Sequence, residues 1–277
     1  MPETSSILQG TGEIIDTLFN LKENGKKSLL YKNKKSSDRL NQKPVDNAVL
    51  NDLVRKVFKK IESNLTPTSR FFEKGPSKEN WRFETQGYIR QENKSIEKKV
   101  EKNIANLMGD DWVNQVPVAS GLINGSADKK RAIDLVCRRS PGAFEFIELK
   151  IIRKNNTFDS PLWAAMELME YGLLYLHAQN NYPKELIEKH EILQAHQINL
   201  VVLAPFAFYT GYQFKWLEDG LTLAFRNLIL SESFSNVDVK FRFYDWPKSI
   251  DIGTGDDIAD TIKAINNRKP VQWETVR

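Results

Sequence analysis

The chain has 277 residues, of which 40% are hydrophobic and 27% are charged. These are globular values, so the composition excludes a disordered or fibrous chain. The longest apolar stretch, residues 200–212, is too short to span a bilayer, and the first residues lack the pattern of a secretory signal. One cysteine, Cys137, and three histidines exclude an internal disulfide and argue against a structural zinc site. We therefore expect a soluble, cytoplasmic protein with no membrane partner.

The net charge of +4 is unevenly distributed along the chain. Residues 1–105 contain 21 Lys and Arg against 14 Asp and Glu, a net charge of +7, whereas residues 106–277 have a net charge of −3. This asymmetry is compatible with a polyanionic partner near the N-terminal part. Taken alone, it is explained more simply by lysine-rich helix faces in contact with water.

The first ninety residues predict an N-terminal helical and irregular extension. A short helix is expected within residues 7–19 and an amphipathic helix over 46–61, where apolar residues recur at helical spacing. Residues 64–80 contain Pro67, Gly75 and Pro76 and predict a loop. This extension is expected to hold DNA, a partner protein or a second copy of the chain.

Residues 91–277 predict an α/β domain with a mixed sheet flanked by helices. Ser95 caps a helix that ends near Gly109, and Ser160-Pro161 begins another. Two strands flank the turn at Ser140-Pro141-Gly142. The elements expected after Gly109 are strands over 132–138, 143–152, 198–206 and 237–244, mixed strand character over 112–123, and helices over 162–179, 216–230 and 257–266.

The two strands around this turn contain a group of ionisable residues. Asp134 lies in the first strand, and alternation places Glu148 and Lys150 on one face of the second, with Leu149 on the other face. The surrounding apolar residues indicate that both faces of the second strand are covered. Isolated charges are costly there unless they are paired or bound to a metal ion.

This combination suits the hydrolysis of a phosphodiester. Asp134, Glu148 and the carbonyl of Leu149 offer hard oxygen ligands for Mg²⁺ or Mn²⁺. Such an ion offsets charge on a phosphate and acidifies a bound water. Lys150 is expected to orient that water and to stabilise the developing negative charge.

Asp134 in IDLV and Glu148-Leu149-Lys150 in FIELKI resemble the motif of the PD-(D/E)xK nuclease superfamily. The resemblance covers about residues 95–210, although Ile133 stands where the motif has proline. It implies a restriction-endonuclease-like α-β-β-β-α-β core and a metal-dependent DNA endonuclease. It also implies a glutamate on the helix before the strands.

For that helical glutamate the chain offers Glu97 and Glu101, and we predict Glu97 because it stands in an E-x-x-V arrangement. Many members also have Gln four residues before Tyr on the helix after the lysine strand. Glu167 and Tyr171 have that spacing here. Together with Glu170, they are expected on the polar edge of the helix. Cys137 is expected to be a small buried hydrophobe.

Two alternatives use the same residue types. Asp238-x-Lys240 is a second acid-x-Lys triplet in a strand-like run, but no strand bearing an aspartate lies shortly upstream. Alternatively, Asp134 and Lys150 form only a structural salt bridge between neighbouring strands.

Basic residues bracket the two strands and are candidates for contacts with DNA phosphates. Those before the first strand are Lys129, Lys130 and Arg131, and those after the strands are Arg138, Arg139, Arg153 and Lys154. The leading hypothesis is a Mg²⁺-dependent nuclease acting on DNA in restriction, repair or defence. The alternatives are an inactive nucleic-acid-binding protein on a decayed nuclease fold and a scaffold protein.

Overall fold

A computed structural model describes residues 6–21, 29–65, 77–86, 95–119, 131–151, 160–234, 237–246 and 265–273. Four of the basic residues proposed to contact DNA, Lys129, Lys130, Arg153 and Lys154, lie outside these ranges. Most of the helix expected over 257–266 also lies outside them.

The described strands form one mixed sheet in which spatial order follows sequence order. The first three strands are antiparallel neighbours, the third, fourth and fifth are parallel, and the sixth is antiparallel to the fifth. The strands are β1 Trp112–Pro117, β2 Ala132–Ser140, β3 Ala143–Leu149, β4 Gln197–Pro205, β5 Asp238–Trp246 and β6 Lys269–Pro270. The predicted α/β class with a mixed sheet is confirmed.

Two helices make the crossovers that parallel strands require. They are α5, which connects β3 to β4, and α8, which connects β4 to β5. The helices are α1 Thr11–Leu18, α2 Lys34–Gln42, α3 Asn47–Leu65, α4 Ile96–Leu107, α5 Pro161–Asn181, α6 Lys184–Lys189, α7 Phe206–Tyr209 and α8 Lys215–Ser231. In the part of the chain that the structure describes, no helix combines the length and apolarity needed to cross a membrane.

Both predicted helix caps are present. The Ser95 hydroxyl accepts a hydrogen bond from the Lys98 amide, and the Ser160 hydroxyl accepts one from the Trp163 amide at 3.2 Å. Each cap satisfies one of the free amides of a first helical turn. Pro161 follows Ser160 at the first helical position, where its missing N–H costs no hydrogen bond.

The sheet divides the hydrophobic core into two clusters, because alternate residues of each strand point to opposite faces. On one face, Phe144 and Phe146 of β3 belong to a large cluster that includes residues of α5 and α8. On the other face, Cys137, Ile147 and Leu149 belong to a smaller cluster with residues of α4. Cys137 is therefore buried, as predicted.

The N-terminal helices share the larger cluster. Ile15 of α1 and Leu50 and Phe58 of α3 are fully buried in it, and α3 packs against both α5 and α8. The close approach of α3 to α8 is visible at Gly220 of α8, where a Cβ atom would overlap the Leu50 side chain and lie 3.0 Å from Asn47 Oδ1. The helices before residue 66 thus cover the outer side of the layer formed by α5 and α8.

Candidate active site

The aspartate of β2 lies where the β2–β3 pairing ends. The register runs from Arg138↔Phe144 to Leu135↔Ile147, and its continuation brings Asp134 opposite Glu148. At this point the Asp134 Oδ2 atom accepts a hydrogen bond of 3.1 Å from the backbone amide of Leu149. Asp134 therefore anchors the end of β3 by its side chain, at the open end of the hairpin, away from the turn.

Lys150 follows β3 directly and contacts two carboxylates. Its Nζ atom donates to Glu148 Oε1 at 2.6 Å and to Glu167 Oε2 at 3.4 Å. The same atom lies 5.5 Å from the centre of the Trp163 ring. The side chains of Lys150 and Glu148 are only 8% and 5% exposed. The prediction that Glu148 and Lys150 share one face is confirmed by this contact.

The ion pairs of Lys150 within the described residues differ from the simple salt bridge considered above. They join Lys150 to Glu148 and to Glu167. Asp134 instead accepts a hydrogen bond from the Leu149 amide. Its Oδ1 atom also accepts a longer one, 3.5 Å, from Gln115 Nε2.

Helix α4 contributes a buried glutamate to the same region. Glu101 is 2% exposed, and its two oxygens accept hydrogen bonds from Asn114 Nδ2 at 2.9 Å and Gln115 Nε2 at 3.0 Å. Burial, together with the charge of Asp134, raises the pKa of Glu101 to about 8. Glu97 lies one turn earlier and is half-buried, and its charge helps to raise the pKa of Asp134.

Both glutamates of α4 are thus electrostatically linked to Asp134, since the charge of Glu97 raises the pKa of Asp134 and the charge of Asp134 raises that of Glu101. Glu101 is the more buried of the two. The prediction of Glu97 as the functional glutamate therefore stays a prediction, and the burial of Glu101 has a signal in the helical spacing. Glu101 stands three residues before the fully buried Ile104 and one after Val100, so it lies at the margin of the apolar stripe.

Gln115 is a residue that the sequence reasoning missed. Its amide lies between Glu101 and Asp134 and donates to both. Its backbone has a φ of 50°, in the left-handed region that non-glycine residues seldom adopt. Such strain recurs at functional sites, where the surrounding contacts enforce it. The β1–β2 register pairs Asn114 with Leu135 and Val116 with Ile133, so Gln115 and Asp134 lie between the same two pairs, which the sequence alone did not indicate.

Among the described residues of this region, the carboxylates that act on one another outnumber the one buried ammonium, that of Lys150. Burial raises the pKa of Asp134 to about 7; the charge of Lys150 opposes this shift, and the charges of Glu97 and Glu167 add to it. Burial also raises the pKa of Glu148 well above its usual range, with a further contribution from Asp134.

Lys150 responds in the opposite sense to burial. Burial lowers the pKa of its ammonium, but the charges of Glu148, Glu167 and Asp134 raise it more, so the net shift is upward. Lys150 therefore stays protonated at neutral pH.

The expectation for the helix after β3 was partly wrong. Glu170 and Tyr171 are each 5% exposed and do not lie on a polar edge. Glu170 Oε1 lies 2.6 Å from the Thr11 hydroxyl of α1. Glu167 is partly exposed and reaches Lys150, as described above.

The described basic residues separate into two groups. Arg131 precedes β2, near Asp134, and its Nη2 atom lies 3.5 Å from the Ser6 hydroxyl. Arg138 and Arg139 lie at the turn end of the hairpin, about 13 Å or more along the strand from Asp134. The structure therefore does not bring these two arginines to the carboxylates of the open end.

Both turn-end arginines pair with acidic groups. Arg138 contacts Asp111 and Glu191, each at 2.9 Å, and Arg139 lies 3.7 Å from Glu145.

The rival triplet lies in a different environment. Asp238 and Lys240 form an ion pair of 2.8 Å at the start of β5, where their side chains are 55% and 40% exposed. Burial, which distinguishes Glu148 and Lys150, is absent from this pair.

The donor set at the open end suits a hard divalent cation. Mg²⁺ commonly takes one or two protein carboxylates and keeps several waters, so Asp134, Glu148 and the Leu149 carbonyl would suffice. Among the described residues, no three or more His, Cys, Asp or Glu side chains are gathered as a ready metal site. The fit therefore depends on the two carboxylates and the carbonyl.

Comparison of the chain with protein-family models, with curated proteins and with solved structures found no match. The resemblance to the PD-(D/E)xK superfamily therefore depends on the residues of this chain.

Proposed function

We propose that the chain is a Mg²⁺-dependent nuclease that hydrolyses phosphodiester bonds in DNA. The observation that supports this most directly is the group of carboxylates near one buried ammonium at the open end of the β2–β3 hairpin. Glu148 and Glu101 are buried there and Asp134 is half-buried, and Lys150 is the one buried cation of the described residues in contact with the group. Burying uncompensated negative charge is costly, and a bound cation would remove the cost.

The order of elements supports the same proposal. The segment α4–β1–β2–β3–α5–β4 has the α-β-β-β-α-β order that the resemblance to the PD-(D/E)xK superfamily implies. Asp134 lies in the second of these strands and the Glu148-Leu149-Lys150 motif at the end of the third. We infer a restriction-endonuclease-like core from this combination.

Each site residue has a defined task in the proposed reaction. Asp134, Glu148 and the Leu149 carbonyl would hold the ion, which supplies charge neutralisation and an acidified water when bound. Lys150, kept protonated by its carboxylate neighbours, donates hydrogen bonds to a phosphate oxygen and stabilises charge that develops there. Gln115, which donates hydrogen bonds to both Asp134 and Glu101, would position Asp134.

A cleavage assay tests the proposal. Supercoiled plasmid and single-stranded DNA are incubated with Mg²⁺ or Mn²⁺ and wild type, Asp134→Asn or Lys150→Met. The matched controls are Asp238→Asn and Lys240→Met, because they alter the exposed triplet on β5 in the same way. We expect cleavage by wild type and both controls and its loss in the two site variants. Cleavage that survives in Asp134→Asn and Lys150→Met would exclude this site.

A second candidate is a nucleic-acid-binding protein without catalysis. The 2.6 Å contact between Lys150 and Glu148 favours it, because this pair already compensates one carboxylate without an added ion. Calorimetric titration with Mg²⁺ distinguishes the two functions. A nuclease is expected to bind Mg²⁺ and to lose this binding when Asp134 is replaced. A non-catalytic protein is expected to bind DNA without Mg²⁺.

A further inference from the structure

A pocket of about 400 Å³ lies beside Lys150. One wall is formed by the N-terminal segments around residues 6–13 and 29–32, and the other by α5 and the residue before β2. Glu167 and Trp163 line the pocket and also contact the Lys150 ammonium. The pocket therefore shares two side chains with the proposed active site, and the N-terminal extension forms its other wall.

Two cationic side chains line this pocket. The Lys32 ammonium lies 5.3 Å from the centre of the Trp163 ring and 5.7 Å from that of Tyr31, so two aromatic rings hold it in place. Arg131 lines the opposite side and lies 3.5 Å from the Ser6 hydroxyl. Its charge also acts on Glu170, which lines the same pocket, and opposes the rise in the pKa of that carboxyl.

The pocket also presents acceptors. Glu13 and Glu170 line it together with Glu167, and Glu170 is held by the Thr11 hydroxyl. Cations that suit a phosphate thus face carboxyl oxygens that suit the N–H groups of a base or the hydroxyl of a sugar. This combination fits a nucleotide better than it fits a phosphate ion alone.

The size of the pocket limits what enters it. A volume of about 400 Å³ is at the lower end of the range for small-molecule sites, roughly 300–1,000 Å³. A DNA duplex, whose major groove alone is about 12 Å wide, does not fit between these walls. One nucleotide that has left the base stack does fit, as in enzymes that act on single strands or extrude a base.

We propose that the pocket binds one unpaired nucleotide of a single DNA strand, with its phosphate on Lys32 and Arg131, next to the phosphodiester that is cleaved at Lys150. This inference rests on the proposed nuclease function for the identity of the ligand. It deepens that function by naming single-stranded DNA, or a locally unpaired strand, as the substrate.

Binding without cleavage tests the pocket. Fluorescence anisotropy is measured in EDTA at low salt with a fluorescein-labelled 12-nucleotide strand and with the same sequence as a blunt duplex. The variants are Lys32→Ala and Arg131→Ala, which remove the cations, and Gln9→Trp, which fills the pocket from an exposed lining position without removing a charge. Lys35→Ala and Arg226→Ala are matched controls, because both side chains are exposed and lie outside the pocket.

The expected pattern is specific to the pocket. Wild type binds the single strand at least about tenfold more tightly than the duplex. Each cation variant loses about tenfold in single-strand affinity, the usual effect of one charged hydrogen bond. Gln9→Trp loses a similar factor, and the controls stay within about twofold. Thermal melting of every variant shows whether a loss comes from unfolding.

Other results separate the pocket from the nuclease. Equal affinities for strand and duplex, or a folded Gln9→Trp variant that binds like wild type, overturn the pocket. If cleavage still requires Asp134 in that case, the proposed nuclease stands without it. If instead the single strand binds with the expected pattern but nothing is cleaved, the pocket stands and the proposed catalysis fails.

Discussion

The two ends of the β2–β3 hairpin bury charge in different ways. At the turn end, Glu145 forms a hydrogen-bonded ion pair with Arg268 and lies 3.7 Å from Arg139. At the open end, Glu148 pairs with Lys150, but Asp134 and other carboxylates act on the same ammonium. Each buried cation also lies near a tryptophan ring, Trp112 at the turn end and Trp163 at the open end.

The difference between the ends lies in the balance of charge. In a buried ion pair each charge is compensated by its partner, so the pair attracts no further ion. In a group with more carboxylates than cations, part of the negative charge has no partner. A metal site without its ion has the same excess of negative charge. Among the described residues, the balance of charge, more than burial as such, is therefore the feature that supports the proposed site at the open end.

The largest difference between the ends is expected in catalysis. Glu148→Gln removes a proposed metal ligand and the closest partner of Lys150, so cleavage should fall by about 10³-fold. Glu145→Gln makes the same chemical change at the turn end and should leave cleavage within about twofold. Initial rates on plasmid DNA measure both. Equal losses in the two variants would remove the distinction between the ends.

The stability of the fold should depend more on the turn-end glutamate than on the open-end glutamate. Glu145→Gln leaves Arg268, whose side chain is 5% exposed, without its charged partner, and the free energy of unfolding should fall by about 3 kcal/mol. Urea unfolding measures this loss. The double variant Glu145→Leu with Arg268→Met should recover most of it, because it leaves no unpaired charge. A single variant as stable as wild type would show that the turn-end pair is not structural.

A pH effect is expected from Glu170, close to the open end. Burial raises its pKa from 4.5 to about 7. The carboxyl is then neutral in the fold and charged in the unfolded chain between these values. Its contribution to stability is full below about pH 4.5 and is lost as the pH rises towards 7, a loss of about 3 kcal/mol. Glu170→Gln should remove this part of the pH dependence.

Chemical denaturation at pH 5 and pH 8 measures the effect of Glu170. The relevant quantity is the difference in unfolding free energy between wild type and Glu170→Gln. That difference should change between the two pH values in favour of the variant at pH 8. A difference that is the same at both would show that Glu170 is ionised in the fold.

Metal addition should stabilise the open end. At a Mg²⁺ concentration one hundred times the dissociation constant, wild type should gain about 2.7 kcal/mol. Asp134→Asn should lose this gain, whereas Glu145→Gln should keep it. Thermal melting with and without Mg²⁺ measures the three proteins. A gain that is the same in Asp134→Asn would place the ion elsewhere.

The smallest effect is expected at Arg138. Its ion pairs with Asp111 and Glu191 involve partly exposed groups, with side chains 30% to 63% exposed. Arg138→Ala should therefore change the unfolding free energy by less than about 1 kcal/mol. Single-strand affinity should also stay within about twofold, because Arg138 lies at the turn end. A large loss of affinity would restore the original prediction that Arg138 contacts DNA.

Local sequence signals predicted much of this fold. The caps at Ser95 and Ser160 and the turn at Ser140-Pro141-Gly142 are encoded by neighbouring residues, and their positions are confirmed. Strand alternation was enough to place Glu148 and Lys150 together, because side-chain direction in a strand has a fixed period.

The remaining features depend on contacts between distant parts of the chain. The burial of Glu170 depends on Thr11, 159 residues earlier. The balance at Glu145 depends on Arg268, 123 residues later. Contacts between residues so far apart in the sequence produce no periodic pattern from which they could be predicted. The sequence gives no basis for choosing between Glu97 and Glu101, because both stand on the same side of α4 and only packing against β1 distinguishes them.

Because α1, α3, α5 and α8 share one hydrophobic cluster, the N-terminal helices cannot be removed without exposing apolar residues of the others. Without the N-terminal helices, the α-β-β-β-α-β segment would expose apolar side chains to water. Leu50 and Phe58 cover these side chains in the folded chain. A transplant of the hairpin and its neighbours into another protein would lose both solubility and the wall of the pocket. The proposed nucleotide pocket and the hydrophobic core thus depend on the same N-terminal segments, so a substitution in these segments is expected to affect both binding and folding.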